Sequence, residues 1–220
     1  KLVTVKELIA YRMKTEHLVT RVAEFSLPTT YGLWHGVAYE TTVDENTHVA
    51  LIMGDIGEGK DILVRVHSEC LTGDALHSIR CDCAAQRDGA MRAIADAGRG
   101  VLLYLRQEGR GIGLANKLRA YQLQDDGADT VEANIALGLP IDKRDYGIGS
   151  QILVDLGLKE LKLITNNPRK IFGLEGYGLK IVERVPMETP PTPFNSRYIG
   201  TKRSKLGHLF DDTTQGVSLS

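Results

Sequence analysis

"AAQRDGAMRAIADAGRGVLLYLRQ", residues 84–107, decides how the chain is read. Its first half, from Ala84, has helical spacing, and Gly98 is the residue type that closes a helix in the left-handed conformation. "GVLLYLRQ" then carries an apolar run with no polar alternation, the pattern of a strand buried on both faces. The same exchange continues downstream. Helices are expected over about Leu114–Asp126, over "TVEANIALG" with Thr130 as N-cap, and over "GIGSQILVDLG". The strands "ELKLIT" and "LKIVERV" flank the turn "NNPRK", and a helix in "SRYIGTKRSKLGHL" follows the proline-rich stretch 187–195. Helices alternating with buried strands predict a layered α/β core.

Upstream of this stretch the pattern is β. "VTRVAEF", "YGLWHGVAY", "HVALIMGD" and "DILVRV" read as strands, separated at Pro28, at Gly32 and by "ETTVDENT". Residues 4–13 read as a short helix in which Thr4 and Glu7 have capping-box spacing, and residues 14–20 as a polar linker. The last ten residues are expected to fray.

Apolar residues are 42% of the 220 and charged residues 25%, the balance of a soluble globular chain that needs no disulfides to fold. Net charge is −1, with no basic stripe, which disfavours a nucleic-acid polymer as partner. The longest apolar runs are too short to cross a bilayer, and no leader opens the stretch, so a reducing cytoplasm is expected.

All three cysteines, Cys70, Cys81 and Cys83, fall in "CLTGDALHSIRCDC", residues 70–83. An odd number argues against a disulfide framework. Cys81 and Cys83, two apart, would share one side of an extended segment, with Cys70 folding back toward them. Structural zinc sites close with four protein ligands, whereas catalytic sites use three and leave a position for water. Three thiols therefore suggest an open site, with zinc the first choice and iron also compatible. Two other readings stand beside it: three buried free thiols, and a closed site completed by His48, His67 or His77. "HSEC" contains H-x-E as zinc nucleobase deaminases do, but the C-x-C that follows lacks their proline, spacing and distance.

"LLYLRQEGRGIGLANK" reads as strand, glycine-rich loop and helix, with Gly109, Gly111 and Gly113 permitting close approach to an anion and Arg106, Arg110 and Lys117 adding charge. "TNNPRK", with Pro168 at a first helical position, offers a second such place through Arg169 and Lys170. An ordinary strand-to-helix turn explains either one alone. "DKRDYG", residues 142–147, reads on its own as a solvated charged loop.

Taken together, "RVHSECLTGDALHSIRCDC", "RQEGRGIGLANKLRAYQLQDDGADTVEAN", "DKRDYG" and "TNNPRK" resemble the GTP cyclohydrolase II family from about Arg21 to Leu209. The first twenty residues resemble the junction with an upstream dihydroxybutanone phosphate synthase domain. The resemblance implies an α/β fold with mixed β-sheets and flanking helices. Its catalytic domain would span 21–209, after a helix and linker at 1–20 and before a flexible tail at 210–220. It implies a homodimer, and opening of GTP at C8 with loss of formate and pyrophosphate. Zinc would sit on Cys70, Cys81 and Cys83, and Mg²⁺ on the triphosphate. GTP contacts would fall on Arg65, Val66, His67, Ser68, Glu69, Gln86, Glu108, Gly109, Arg110, Thr130, Thr165 and Lys170. Tyr121, Asp142 and Arg144 would be catalytic, Asp142 as proton acceptor and Arg144 as nucleophile. A guanidinium has no lone pair to offer, so charge stabilisation is the easier role for Arg144.

Overall fold

The computed structural model describes residues 3–4, 7–8, 11–12, 15–144 and 146–209, with the side chains of residues 169 and 172 outside that description. Among the described residues, seven strands form one mixed sheet: β1 Val19–Thr29, β2 Gly32–Thr41, β3 His48–Met53, β4 Ile62–Ser68, β5 Gly100–Leu105, β6 Glu160–Ile164 and β7 Lys180–Val185. Their order is β1-β2-β3-β5-β4-β6-β7. β1, β2, β3 and β5 pair antiparallel, whereas β5, β4, β6 and β7 pair parallel. The two halves meet at β5, the uninterrupted apolar run. Its side chains alternate between faces, so Val101, Leu103 and Leu105 enter one core and Leu102 the other.

Among the described residues, six helices flank the sheet: α1 Cys83–Ala97, α2 Leu114–Asp125, α3 Thr130–Ala136, α4 Gly147–Asp155, α5 Pro168–Glu175 and α6 Ser196–Ser204. α1 buries Ala90, Met91 and Ile94 against Trp34, Leu51 and Leu102, and α4 buries Ile148, Ile152 and Leu153 against Val64, Val101 and Leu103 on the opposite face. Each face thus acquires a helix by the 3.6-residue spacing visible in the sequence. Gly98 ends α1 at φ 72° and ψ −6°, the expected left-handed cap.

Several expectations are corrected. β1 does not stop at Pro28: it runs to Thr29, with Pro28 opposite Leu33. β1 is an edge strand, where a missing N–H is tolerated. The polar linker ends sooner than position 20, because Leu18 and Val19 are already in the core. Thr130 is the first residue of α3 and Asp129 its N-cap, whose carboxylate accepts from the Val131 and Glu132 amides while Glu132 bonds back. The reciprocal partner required at the third helical position, Glu132, selects Asp129 over Thr130. Among the described N-terminal residues, Thr4 and Glu7 exchange their expected capping bonds at 2.7 and 3.2 Å. Leu8, Tyr11 and Arg12 are helical as well, whereas residues 5, 6, 9, 10 and 13 of that expected helix and the tail from 210 lie outside the described residues.

Candidate active site

The carboxyl ends of parallel strands are where α/β sheets gather ligands. Here β4, β5 and β6 end side by side and feed Glu69–Cys70, the glycine loop, and Thr165–Lys170 into one pocket. Ser68 lies opposite Leu105, and the Glu69 amide donates to the Leu105 carbonyl at 2.8 Å, which locks the first two segments in register.

After Cys70 the chain makes one turn of π-helix, Leu71–Ala75. Two carboxylates hold that turn. Asp74 accepts from the Cys70 amide at 3.0 Å, and Glu108 accepts from the Leu71 amide at 2.7 Å. Asp74 also accepts from the Tyr104 hydroxyl at 2.8 Å and faces His67 Nε2 at 3.1 Å. Burial alone would raise the Asp74 pKa; the His67, Tyr104 and Cys70 hydrogen bonds outweigh it and hold the carboxyl below its ordinary value. His67 therefore donates through Nε2, and burial keeps its ring neutral.

Cys81 and Cys83 are not in an extended segment, as the two-residue spacing suggested. Cys81 lies in a bend and Cys83 is the first residue of α1. The turn into the helix nonetheless brings all three sulfurs within 4.8 Å of one another, with Cys70 Sγ 3.7 Å from Cys81 Sγ. Among the described residues no His, Asp or Glu joins the group. The closed site with a histidine is thereby set aside: His67 is held by Asp74, and His48 Nδ1 accepts from the Arg106 amide at 3.1 Å. The same finding leaves the histidine of "HSEC" outside the sulfur group.

The donor set fits a thiophilic dication. Hydrogen bonds from Cys81 and Cys83, and then Lys117 at 3.0 Å from its sulfur, push the Cys70 thiol far below its ordinary range. The same coupling to Cys70 pushes Cys81 up to about 11, and Cys83 is raised too. Three adjacent thiolates thus need a shared cation to coexist. Gly73 leaves room for one: a Cβ there would lie 3.1 Å from Cys81 Sγ and 3.2 Å from Cys70 Sγ. Gly73→Ala is expected to lower Zn²⁺ affinity about 10-fold or more with the far-ultraviolet spectrum unchanged. Competition with a chromophoric chelator measures it, and unchanged affinity would show that the cradle does not use this space.

Cations gather across the same pocket. Arg65, Arg110, Arg144, Lys170 and Lys202 all line it. Burial, then the charges of Arg65, Arg144 and Lys202, drive the Lys170 pKa well down. Lys170 Nζ is held on the Val66 carbonyl at 2.7 Å, so Val66 takes part through its backbone while its side chain is core. Among the described residues Arg65, Arg110 and Lys170 have no carboxylate at ion-pair distance, the condition of a pocket that fits an anion. Gly109, Arg110 and Gly111 are successive left-handed residues, at φ 61°, 60° and 85°. The Arg110 carbonyl accepts from the Lys143 amide at 3.0 Å and so hangs the 142–144 segment on the loop.

That segment is no solvated charge run. Asp142 and Arg144 form a two-pronged pair at 2.9 and 2.6 Å, their side chains 11% and 12% exposed. Asp145 and the side chain of Arg169 lie outside the described residues. His67, Ser68, Glu69, Gln86, Glu108, Gly109, Thr130, Thr165 and Tyr121 line the pocket as well; of the residues predicted for the site, only Val66 and Asp142 do not. Arg65 Nε, His67 Nδ1 and Ser68 Oγ are buried without a partner among the described residues, three polar atoms in one strand that a polar ligand would satisfy. Tyr121 Oη meets Thr72 Oγ1 at 3.0 Å, and Thr72 Oγ1 lies 3.6 Å from Cys70 Sγ.

Sequence reasoning missed Asp74, Asp82, Tyr198, Lys202 and His208. Asp82, inside "CDC", carried a signal; His208, pushed down to about 3 by burial and four neighbouring cations, carried none.

Fold and site define an α/β protein with a three-thiol cluster, compatible with a metal ion, opening onto a cationic pocket. The chain belongs to the GTP cyclohydrolase II family, whose model, so described, matches residues 20–186. It is 59% identical over 211 residues to a riboflavin biosynthesis protein RibBA of Bacillus cereus, covering 96% of this chain and 53% of that protein. A RibBA of Bacillus mycoides is 58% identical over the same shares. The chain thus spans about half the length of the curated relatives it matches. The crystal structure of RibBX, a two-domain 3,4-dihydroxy-2-butanone 4-phosphate synthase from A. baumannii, is 27% identical with a TM-score of 0.51, covering 83% of this chain and 44% of that one.

Proposed function

We propose that this chain opens the imidazole ring of GTP at C8, releasing formate and pyrophosphate and leaving a diaminopyrimidinone ribosylamino phosphate, the first step of riboflavin biosynthesis. One observation supports this reading above the rest: a three-thiol cradle and a cluster of buried cations share a single pocket. Cys70, Cys81 and Cys83 would hold Zn²⁺. The chemistry a zinc ion supplies there is Lewis acidity, which makes water nucleophilic near neutral pH.

The chain's own residues do the rest. Gln86 donates through Nε2 to Asp82 at 2.7 Å and accepts through Oε1 from Arg65 at 2.6 Å. This fixes the amide orientation and leaves one N–H and one lone pair for the guanine edge. Glu69 accepts from guanine N–H groups, and His67 Nδ1, the bare ring nitrogen, accepts a further hydrogen bond. Burial raises the Tyr121 pKa, so its hydroxyl keeps a proton to donate to the opening ring. Arg65, Arg110 and Lys170 bind the phosphates, with Thr130 and Thr165 contributing hydroxyls. Mg²⁺, which would neutralise charge on the triphosphate, a homodimer and a cytoplasmic setting belong to the same reading.

Incubation with GTP and Mg²⁺, with and without a zinc chelator, tests it. Formate and pyrophosphate are expected together, and the chelator should abolish formate. Ammonia in place of formate would make the chain a deaminase. A full zinc complement with no turnover would leave it a nucleotide-binding domain.

A further inference from the structure

α6 lies beyond the residues that the family model matches, yet it forms part of the pocket wall. It is fastened at both ends. At its start Arg197 donates to the Gly127 carbonyl; past its last turn Lys205 pairs with Asp129 and Glu132 at the cap of α3, and the Leu209 amide donates to the Asn166 carbonyl at 2.8 Å. Between them, Tyr198 and Lys202 face inward one helical turn apart. The Lys202 ammonium lies 4.7 Å from the Tyr198 ring centroid and pairs with Asp82, the two charged side chains only 7% and 3% exposed.

Asp82 sits between two of the three cysteines, at the N-cap of α1. An aspartate there ordinarily accepts from the first helical amides. Asp82 makes no such bond. Its carboxylate is turned away, one oxygen to Lys202 and the other to Gln86 Nε2, and Gln86 continues to Arg65. One side chain of α6 therefore reaches both the Cys81–Cys83 turn and the amide proposed to read the base. We propose that Lys202 is a positioning residue: by holding Asp82 it sets the Cys81–Cys83 turn for the metal and orients Gln86 for the nucleobase.

This deepens the function proposed above, and its test separates the two. Zn²⁺ affinity is measured by chelator competition without GTP, and kcat and KM for formate release are measured on the loaded protein. Lys202→Met and Asp82→Asn are each expected to lower Zn²⁺ affinity and kcat by about 10–100-fold, as outer-sphere substitutions do. Their combination should be no worse than the poorer single variant, because both cut one path. Should Lys202→Met fold poorly with its unpaired carboxylate, the combined variant, which removes both charges, carries the measurement alone. Near-normal Zn²⁺ affinity and kcat in it, whatever its Tm, overturn the proposal. Additive losses overturn it too, as does a rise in KM alone, which would make Lys202 a direct phosphate contact. Absence of formate from the parent chain with its zinc affinity intact would sink the cyclohydrolase reading and leave the metal arm of this one standing.

Discussion

Cys70→Ser is expected to remove bound zinc and to slow formate release by at least about 10³-fold, the size of losing several kcal/mol of Lewis-acid stabilisation. The expectation rests on how Cys70 is held. Its amide is bonded to Asp74 and the next amide to Glu108, and neither bond involves the sulfur. Exchanging sulfur for oxygen therefore leaves the π-turn in place while withdrawing a soft donor from the cradle. It also leaves Lys117, 3.0 Å from the sulfur, facing a hydroxyl that stays neutral. Lys117 keeps Glu108 as partner at 2.8 Å, so the loop retains an ion pair and the apo forms of parent and variant should melt within a few degrees of each other. Metal analysis, the formate rate and apo melting together make the measurement specific. Formate release at the parent rate from a zinc-free variant would refute the assignment of the thiols, and with it the account of how the ring is opened.

The parts of this molecule that were readable in the sequence are those governed by local periodicity. The apolar run at 101–105 gave away a strand buried on both faces, and Gly98 could close its helix because glycine alone pays nothing for φ 72°. The three thiols were readable because clustering within fourteen residues limits where the sulfurs can go. What escaped is non-local. Asp82 meets Lys202 from 120 residues away, and Asp74 meets Tyr104 from 30 away. No spacing rule links such positions; they meet because β4, β5 and β6 end at one edge and α6 returns to it. Pro28 escaped for a related reason, since a proline forbids only an inner strand, and edge position is a property of the finished sheet. "DKRDYG" shows the limit most clearly. Four charges in a row read as solvated until Arg110 is seen holding Lys143, which turns Asp142 and Arg144 inward.

That inward pair supports the second large prediction: Arg144→Lys lowers kcat for pyrophosphate release by about 10²–10³-fold, with a smaller change in KM. Asp142 engages Arg144 through Nε and Nη2, at 2.9 and 2.6 Å, and also accepts from the Arg144 amide at 3.1 Å. Burial works against the charge of each group, but their mutual hydrogen bonds prevail: Asp142 is held below the usual carboxylate range and Arg144 above its own already high value. A pair so balanced does not pass a proton from guanidinium to carboxylate, which is what attack by Arg144 on the α-phosphorus would require. The bond geometry points the other way. With the fork spent on one edge, Nη1 and the second Nη2 hydrogen keep a fixed direction for charge that develops on phosphate oxygens. Lysine preserves the charge and loses the direction, so the loss should fall on the transition state rather than on binding. Arg144→Ala should be slower still and partly restored by added guanidinium, which replaces charge and planarity without a covalent link. A lysine variant that releases pyrophosphate at the parent rate would remove any special role for the guanidinium. A phosphorylated Arg144 trapped during turnover would show that the proton does leave, against the electrostatics of the pair.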